Sequence, residues 1–264
     1  MILRVRFLRG NISLRILLFQ ALYWITSVFF GLTAILCLLM PSRKPIMSWL
    51  KIYSKTILFW MRFILGIKLE VKGKHHVPER GCIIASKHQS WGDGFSLFSQ
   101  FDDLAFVTGE HITKIPGVGH ILKKMDVIVV AQCGGPASRA ALIDSEMERA
   151  RREDRKIFIY PEGRLTEVGY YAPYKKGVFH MYEAYQCPVI PVSTNMGLCW
   201  PMDDWKRLKS GTVTLQFHEP IPPGLNKESF MRRLENTIET GALSLLPVGF
   251  VVPENRQVET QWVA

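Results

Sequence analysis

The sequence predicts an α/β domain, a mostly parallel sheet flanked by helices, carried behind an N-terminal hydrophobic helical segment that anchors it to a membrane. Three observations lead there. Short apolar runs alternate with helical stretches, one uncharged run of 25 residues stands near the N-terminus, and the excess positive charge is confined to the first third of the chain. The 264 residues hold 33 Lys or Arg against 23 Asp or Glu. Residues 1–80 contain thirteen of the cations and only two acids, while residues 81–264 are close to neutral. A nucleic-acid binder can carry such a charge but seldom interleaves its cations with Leu, Phe, Trp and Ile. An anionic lipid surface accounts for both features, so a phospholipid membrane is the expected partner and nucleic acid is not.

The first region, residues 1–68, is read as the anchor. Residues 16–40 carry no charge and are long enough to cross about 30 Å of hydrocarbon as a helix. They are too long for a typical signal-peptide core. Arg4, Arg6, Arg9 and Arg15 precede the run, and Arg43, Lys44, Lys51 and Lys55 follow it, so both flanks are drawn to the cytoplasmic side. Two arrangements remain: a helical hairpin that dips into one leaflet and bends near Gly31, which the two basic flanks favour, or a single span. Residues 46–65 then form a helix lying on the membrane, with Lys51, Lys55 and Arg62 on one stripe and Trp49, Leu50, Ile57, Phe59, Trp60 and Ile64 around the rest. The alternative for this stretch is a core helix of the globular domain.

Residues 69–246 form the globular unit, large enough to bury a sound core. Strands are expected at 82–86, 104–107, 127–130, 157–160, 189–193 and 213–217, with helices between most of them. The clearest helix covers 137–152, with Ala140, Ile143, Met147 and Ala150 on its inner side. Loops at strand ends then carry the site. Residues 247–264 read as a polar, loosely held tail. Cys37, Cys82, Cys133, Cys187 and Cys199 include no Cys-x-x-Cys pair and are odd in number, which points to reduced thiols. No histidine cluster has zinc-like spacing, so no metal site is expected.

Chemistry enters with His88 and Asp93, in the segment Lys87-His88-Gln89-Ser90-Trp91-Gly92-Asp93. Residues five apart sit about 140° around a helix from each other. A turn must therefore bring them together, with His88 just past a strand and Asp93 near a helix N-terminus. A carboxylate that accepts from Nδ1 fixes the tautomer and leaves Nε2 to take a proton from a hydroxyl. A second apolar run ends in Tyr160-Pro161-Glu162-Gly163-Arg164, again strand then turn. A guanidinium there, with Gly163 allowing close backbone approach, suits a phosphate monoester.

With these two segments in order, the chain resembles the glycerolipid acyltransferase family that includes 1-acylglycerol-3-phosphate acyltransferases, recognised by a His-x4-Asp block and a later Pro-Glu-Gly-Thr/Arg block. The resemblance runs from about Lys87 to Ser193. It also takes in Lys114-Ile115-Pro116-Gly117-Val118-Gly119, then Lys175-Lys176-Gly177, and Cys187-Pro188-Val189-Ile190-Pro191-Val192. It implies that His88 is the base, that Asp93 supports it, and that Glu162, Gly163 and Arg164 hold the acceptor phosphate. Ser90, Lys176 and Arg139 join them as candidate substrate-binding residues. The second family block usually carries a Lys where this chain has Thr108-Gly109, and an Arg where Ala131-Gln132 follows the strand. Arg139, early in the helix that starts after Gly135-Pro136, is the best substitute, with Lys114 and Lys123 as others.

The resemblance implies transfer of an acyl group from acyl-CoA or acyl carrier protein to a lysophospholipid, most directly 1-acylglycerol-3-phosphate, on the cytoplasmic face of the membrane and with no cofactor. The departure in the second block leaves room for another acceptor, such as a lyso-ornithine lipid or a different lysophospholipid. Turn amides near Ser90 to Gly92, or around Gly163, are the candidate oxyanion donors. Two other functions fit the same residues: a lipid-binding protein without catalysis, and a hydrolase in which the His-Asp pair activates water.

Overall fold

The computed structural model describes residues 4–6, 11–130, 135–202 and 204–253. Two short antiparallel strands, β1 (Arg4–Arg6) and β2 (Asn11–Ser13), lead into α1 (Leu14–Leu38). This helix runs unbroken through Gly31, so the bend expected there does not occur. With no proline in the run, no amide inside the helix is lost as a donor. The reversal comes at residues 39–43, which include Pro41, and the chain returns as α2 (Lys44–Trp60) with a wider last turn over Met61–Leu65. Gly66, at φ 72°, ends it. The helical hairpin is therefore α1 with α2, not a fold within residues 16–40.

Only Ile16, Phe19, Thr26 and Ala34 of α1 are buried, while Leu18, Trp24, Ile25, Val28, Phe29, Leu32, Ile35 and Leu36 are exposed. It is the one helix among the described residues long and apolar enough to cross a membrane. In contrast, α2 is built into the protein. Ile46 and Met47 pack with Ile84 and Phe158 of the sheet, and Ile57 and Met61 pack with Phe19 and Trp200. Trp49 and Leu50, expected in the lipid, lie against that core, and Lys51 is held by Asp102 at 2.6 Å. Ile46, Met47, Leu50, Ser54, Ile57 and Met61 recur at helical spacing and form a core stripe. The core-helix alternative thus describes this side, leaving Ile52, Phe59 and Phe63 exposed.

Seven strands form the main sheet: β3 (Ile67–Lys72), β4 (Ile83–Ser86), β5 (Leu104–Gly109), β6 (Ile128–Val130), β7 (Lys156–Ile159), β8 (Val189–Thr194) and β9 (Gly211–Phe217). Their order is β3-β9-β8-β4-β7-β5-β6, and every neighbouring pair is parallel except β8 with β9. All six expected strands are present. β3 was not anticipated, and it crosses the expected boundary between residues 68 and 69.

Helices α6 (Pro136–Arg152), α7 (Gly177–Tyr185) and α8 (Lys227–Ser244) cover one face, over Ile83, Ala85, Ile157 and Ile159. The opposite face, with Ile84 and Phe158, lies under α1, α2, α3 (Gly92–Phe98), the short α4 (Glu110–Thr113) and α5 (Val118–Met125). A sheet buried on both sides explains why its central strands read as continuous apolar runs. On α6, Ile143, Met147 and Ala150 are buried as expected, while Ala140 is exposed. Arg43, just before α2, meets Asp103 at 2.9 Å and Glu153 at 2.6 Å, and so ties the helical hairpin to the base of the sheet.

Candidate active site

Strands β4 and β7 are parallel neighbours, in register from Ile83 with Ile157 to Ala85 with Ile159. Their carboxyl ends therefore open side by side, and the two polar segments that follow them must meet. This is the usual location for ligands in an open α/β sheet. The main-chain amide of Thr166 donates to the carbonyl of His88 at 2.8 Å and joins the two loops.

The turn after β4 brings His88 and Asp93 together as their spacing requires. Asp93 lies in the first turn of α3, and its Oδ2 accepts from His88 Nδ1 at 3.2 Å and from the amides of Gln89 and Ser90 at 2.7 and 2.8 Å. Because a carboxylate oxygen accepts, Nδ1 carries the proton and Nε2 presents its lone pair. Asp93 is fully buried, whereas the His88 side chain keeps 17% of its exposure. One end of the pair is locked and the other reaches open space.

Tyr160, the residue before Pro161, was not singled out in the sequence. Its ring lies against the imidazole with centroids 3.6 Å apart and 8° between planes. The ring thus fixes the plane of the imidazole and offers it a π face. Its hydroxyl is buried without a hydrogen-bond partner among the described residues, and burial, with Asp93 and Glu162 nearby, pushes it well above the ordinary phenol range. No spacing rule finds such a residue, because its role follows from the register of β4 against β7.

Beside His88 lies a cavity of about 450 Å³. Phe106, Val107, Ile112, Val130, Ile143 and Met181 give it an apolar wall, and Arg164 and Lys175 give it charge. Among the described residues no Asp or Glu lines it. Gly163, at φ 64°, makes the turn that carries Arg164 to the surface of this cavity. An imidazole with its Nε2 open, two cations and an apolar wall suit a hydroxyl-bearing amphiphile with an anionic head.

Several expected site residues are placed elsewhere. Glu162 does not face the cavity. It is fully buried and paired with the Lys87 ammonium, which also meets Glu239 Oε1 at 2.7 Å, and Tyr174 Oη donates to the same Glu239 oxygen at 2.9 Å. Burial pushes Glu162 up to about 7, against the pull of Lys87. The physical reason is pairing: a carboxylate this deep needs a cation, and the buried Lys87 supplies it. Ser90 is also fully buried, with its Oγ accepting from the Gly92 amide at 3.0 Å, so it shapes the turn. Lys175 and Lys176 are both exposed, but it is Lys175, not Lys176, that lines the cavity.

Arg139 falls in the first turns of α6, and its side chain lies outside the described residues, as do Ala131 and Gln132. The amides of Gln89, Ser90 and Gly92 are taken within the turn, and that of Gly163 donates to Tyr160 O at 3.0 Å. These four are therefore not free oxyanion donors. Cys82 is fully buried in the sheet, and burial holds its thiol up at about 12, so it is no acyl-carrying nucleophile.

The acyltransferase family model matches residues 68–195, from β3 through β8. The 1-acyl-sn-glycerol-3-phosphate acyltransferase of Pseudomonas aeruginosa is 27% identical over 176 residues, which cover 64% of this chain and 68% of that protein. The 1-acyl-sn-glycerol-3-phosphate acyltransferase beta of Homo sapiens is 29% identical over 163 residues, 61% of this chain and 58% of that one, so the chain spans less than two thirds of the human relative. The crystal structure of the 1-acyl-sn-glycerophosphate (LPA) acyltransferase from Thermotoga maritima shares the fold, with a TM-score of 0.71 at 22% identity over 88% of this chain and 96% of that one. Family model and relatives agree with the motif order around the cavity, and residues 68–195 carry the match to the acyltransferase family.

Proposed function

We propose that this protein transfers a fatty acyl group from an acyl thioester, carried by coenzyme A or acyl carrier protein, to the free hydroxyl of 1-acylglycerol-3-phosphate, giving phosphatidate. The observation that carries the reading is His88 Nε2 left open beside a cavity whose charged lining is cationic and whose remaining wall is largely apolar. Two acyltransferases that act on 1-acyl-sn-glycerol-3-phosphate by name are relatives of the chain.

His88 Nε2 removes the proton of the acceptor hydroxyl as its oxygen attacks the thioester carbonyl. Asp93 stabilises the imidazolium that forms. The tetrahedral intermediate then collapses, the carbon–sulfur bond breaks, and the thiolate takes the proton back from His88. Arg164 grips the acceptor phosphate and sets the hydroxyl against Nε2. The apolar face of α1 holds the protein in the bilayer, with the sheet domain on the cytoplasmic face where thioester donors are made.

Purified protein supplied with labelled acyl thioester and a panel of lysolipids tests this directly. New diacyl lipid, formed best with 1-acylglycerol-3-phosphate, is the expected product. Free fatty acid in its place marks a hydrolase, and no turnover with retained lipid binding marks a binding protein.

A further inference from the structure

We propose that Lys175 is the second cation on the acceptor phosphate and works with Arg164 across Gly163; this rests on reading the acceptor as a phosphate monoester. Lys175 is tied to the turn that carries Arg164, because its backbone amide donates to Pro161 O at 2.7 Å. Its side chain lies over Gly163. A Cβ at that glycine would sit 3.3 Å from Lys175 Cγ and 3.7 Å from Lys175 Cε. The chain of Lys175 is thus laid along the turn, and the residue lines the cavity beside His88 and Arg164.

Charge supports the same assignment. Lys87, the other lysine of this region, is consumed by Glu162 and Glu239. Thr108 and Gly109, at the end of β5, bring no charge to the cavity. Arg164 and Lys175 have no ion pair among the described residues, and two uncompensated cations in one cavity favour an anion between them. A phosphate monoester presents three terminal oxygens. The planar guanidinium takes two of them, and the third suits a point charge such as an ammonium.

The test is steady-state kinetics of full-length protein carrying Lys175→Met or Lys175→Arg, together with inhibition by inorganic phosphate. Loss of one charge-assisted hydrogen bond predicts a rise in KM for 1-acylglycerol-3-phosphate of about tenfold to a hundredfold in K175M. The change in kcat is small, phosphate inhibition weakens in parallel, and K175R recovers most of both losses. An unchanged KM, or a raised KM with phosphate inhibition intact, overturns the role of Lys175. If wild-type protein transfers nothing to the phosphate acceptor, the functional reading itself falls; a working wild type with an unmoved K175M removes only Lys175.

Discussion

The imidazole of His88 is stacked on the phenol ring of Tyr160, 3.6 Å between centroids, while its Nδ1 is tied to Asp93 at 3.2 Å. Two contacts at right angles to each other thus fix the imidazole: the carboxylate sets the direction in the ring plane, and the phenol sets the plane. The phenol's own hydroxyl does neither. It is buried with no hydrogen-bond partner among the described residues. Tyr160→Phe should therefore retain near wild-type kcat and gain up to about 1 kcal/mol of stability, because an unsatisfied polar group is removed. Tyr160→Ala should lose the platform and lower kcat with little change in KM. Equal losses in both variants would mean that the hydroxyl, not the ring, is the working part.

Asp93→Asn isolates charge from geometry. Oδ2 accepts three hydrogen bonds, whereas Oδ1 is buried with no partner among the described residues. An asparagine can keep its carbonyl on the three donors and place its amide where Oδ1 was. The fold should persist, and kcat should fall by roughly 10²- to 10⁴-fold, the range for losing a general base's support. His88→Ala should fall at least as far while sedimenting with membranes as before. A D93N variant with near-normal kcat and an unchanged circular dichroism spectrum would remove the carboxylate's charge from the mechanism.

Much of this arrangement was legible in the sequence, and the gaps have physical causes. The central strands read clearly because both faces are buried, so Ile83, Ile84, Ile157 and Phe158 are all apolar. β3 was missed because it is an edge strand whose Lys68, Glu70 and Lys72 alternate with Ile67, Leu69 and Val71 in a short mixed pattern next to an apolar helix. The spacing of His88 and Asp93 demanded a turn, and the turn is there. The direction of Glu162 was not readable, since its partner Lys87 lies on another strand end and Glu239 on a helix 152 residues from that lysine. Residues 46–65 were assigned to a lipid surface because periodicity alone does not distinguish a core stripe from a membrane-facing one.

The outward face of α1 supplies a separate prediction. Ile25 and Leu32, two turns apart, are 65% and 64% exposed. An aspartate at the centre of a bilayer-embedded helix costs about 2.5–3.5 kcal/mol. The pair Ile25→Asp and Leu32→Asp should shift the protein from the membrane pellet toward the supernatant, with transfer to micellar acceptor preserved. Unchanged sedimentation would show that this face is not what holds the protein to the bilayer.

The buried cluster beneath the site makes stability depend on pH in a defined direction. Burial lifts Glu162 from 4.5 to about 7, Glu239 adds to the rise, and Lys87 opposes it. The folded-state value thus exceeds the unfolded one. Between about 4.5 and 7 the folded chain retains a proton that the unfolded chain has released, so this group's contribution to stability falls as pH rises through that window and levels off above it. Glu162→Gln cannot lose a proton and removes that slope. Its melting temperature relative to wild type should therefore climb from acidic to neutral pH, a trend opposite to that expected for a carboxylate stabilised mainly by its lysine. Lys87→Met acts in the reverse sense, leaving Glu162 and Glu239 without their cation, and should destabilise the fold by about 3–5 kcal/mol at neutral pH and by less under acid. A wild-type minus E162Q difference that stays flat from acid to neutral, measured by thermal unfolding in detergent, would place the titration of Glu162 outside this window.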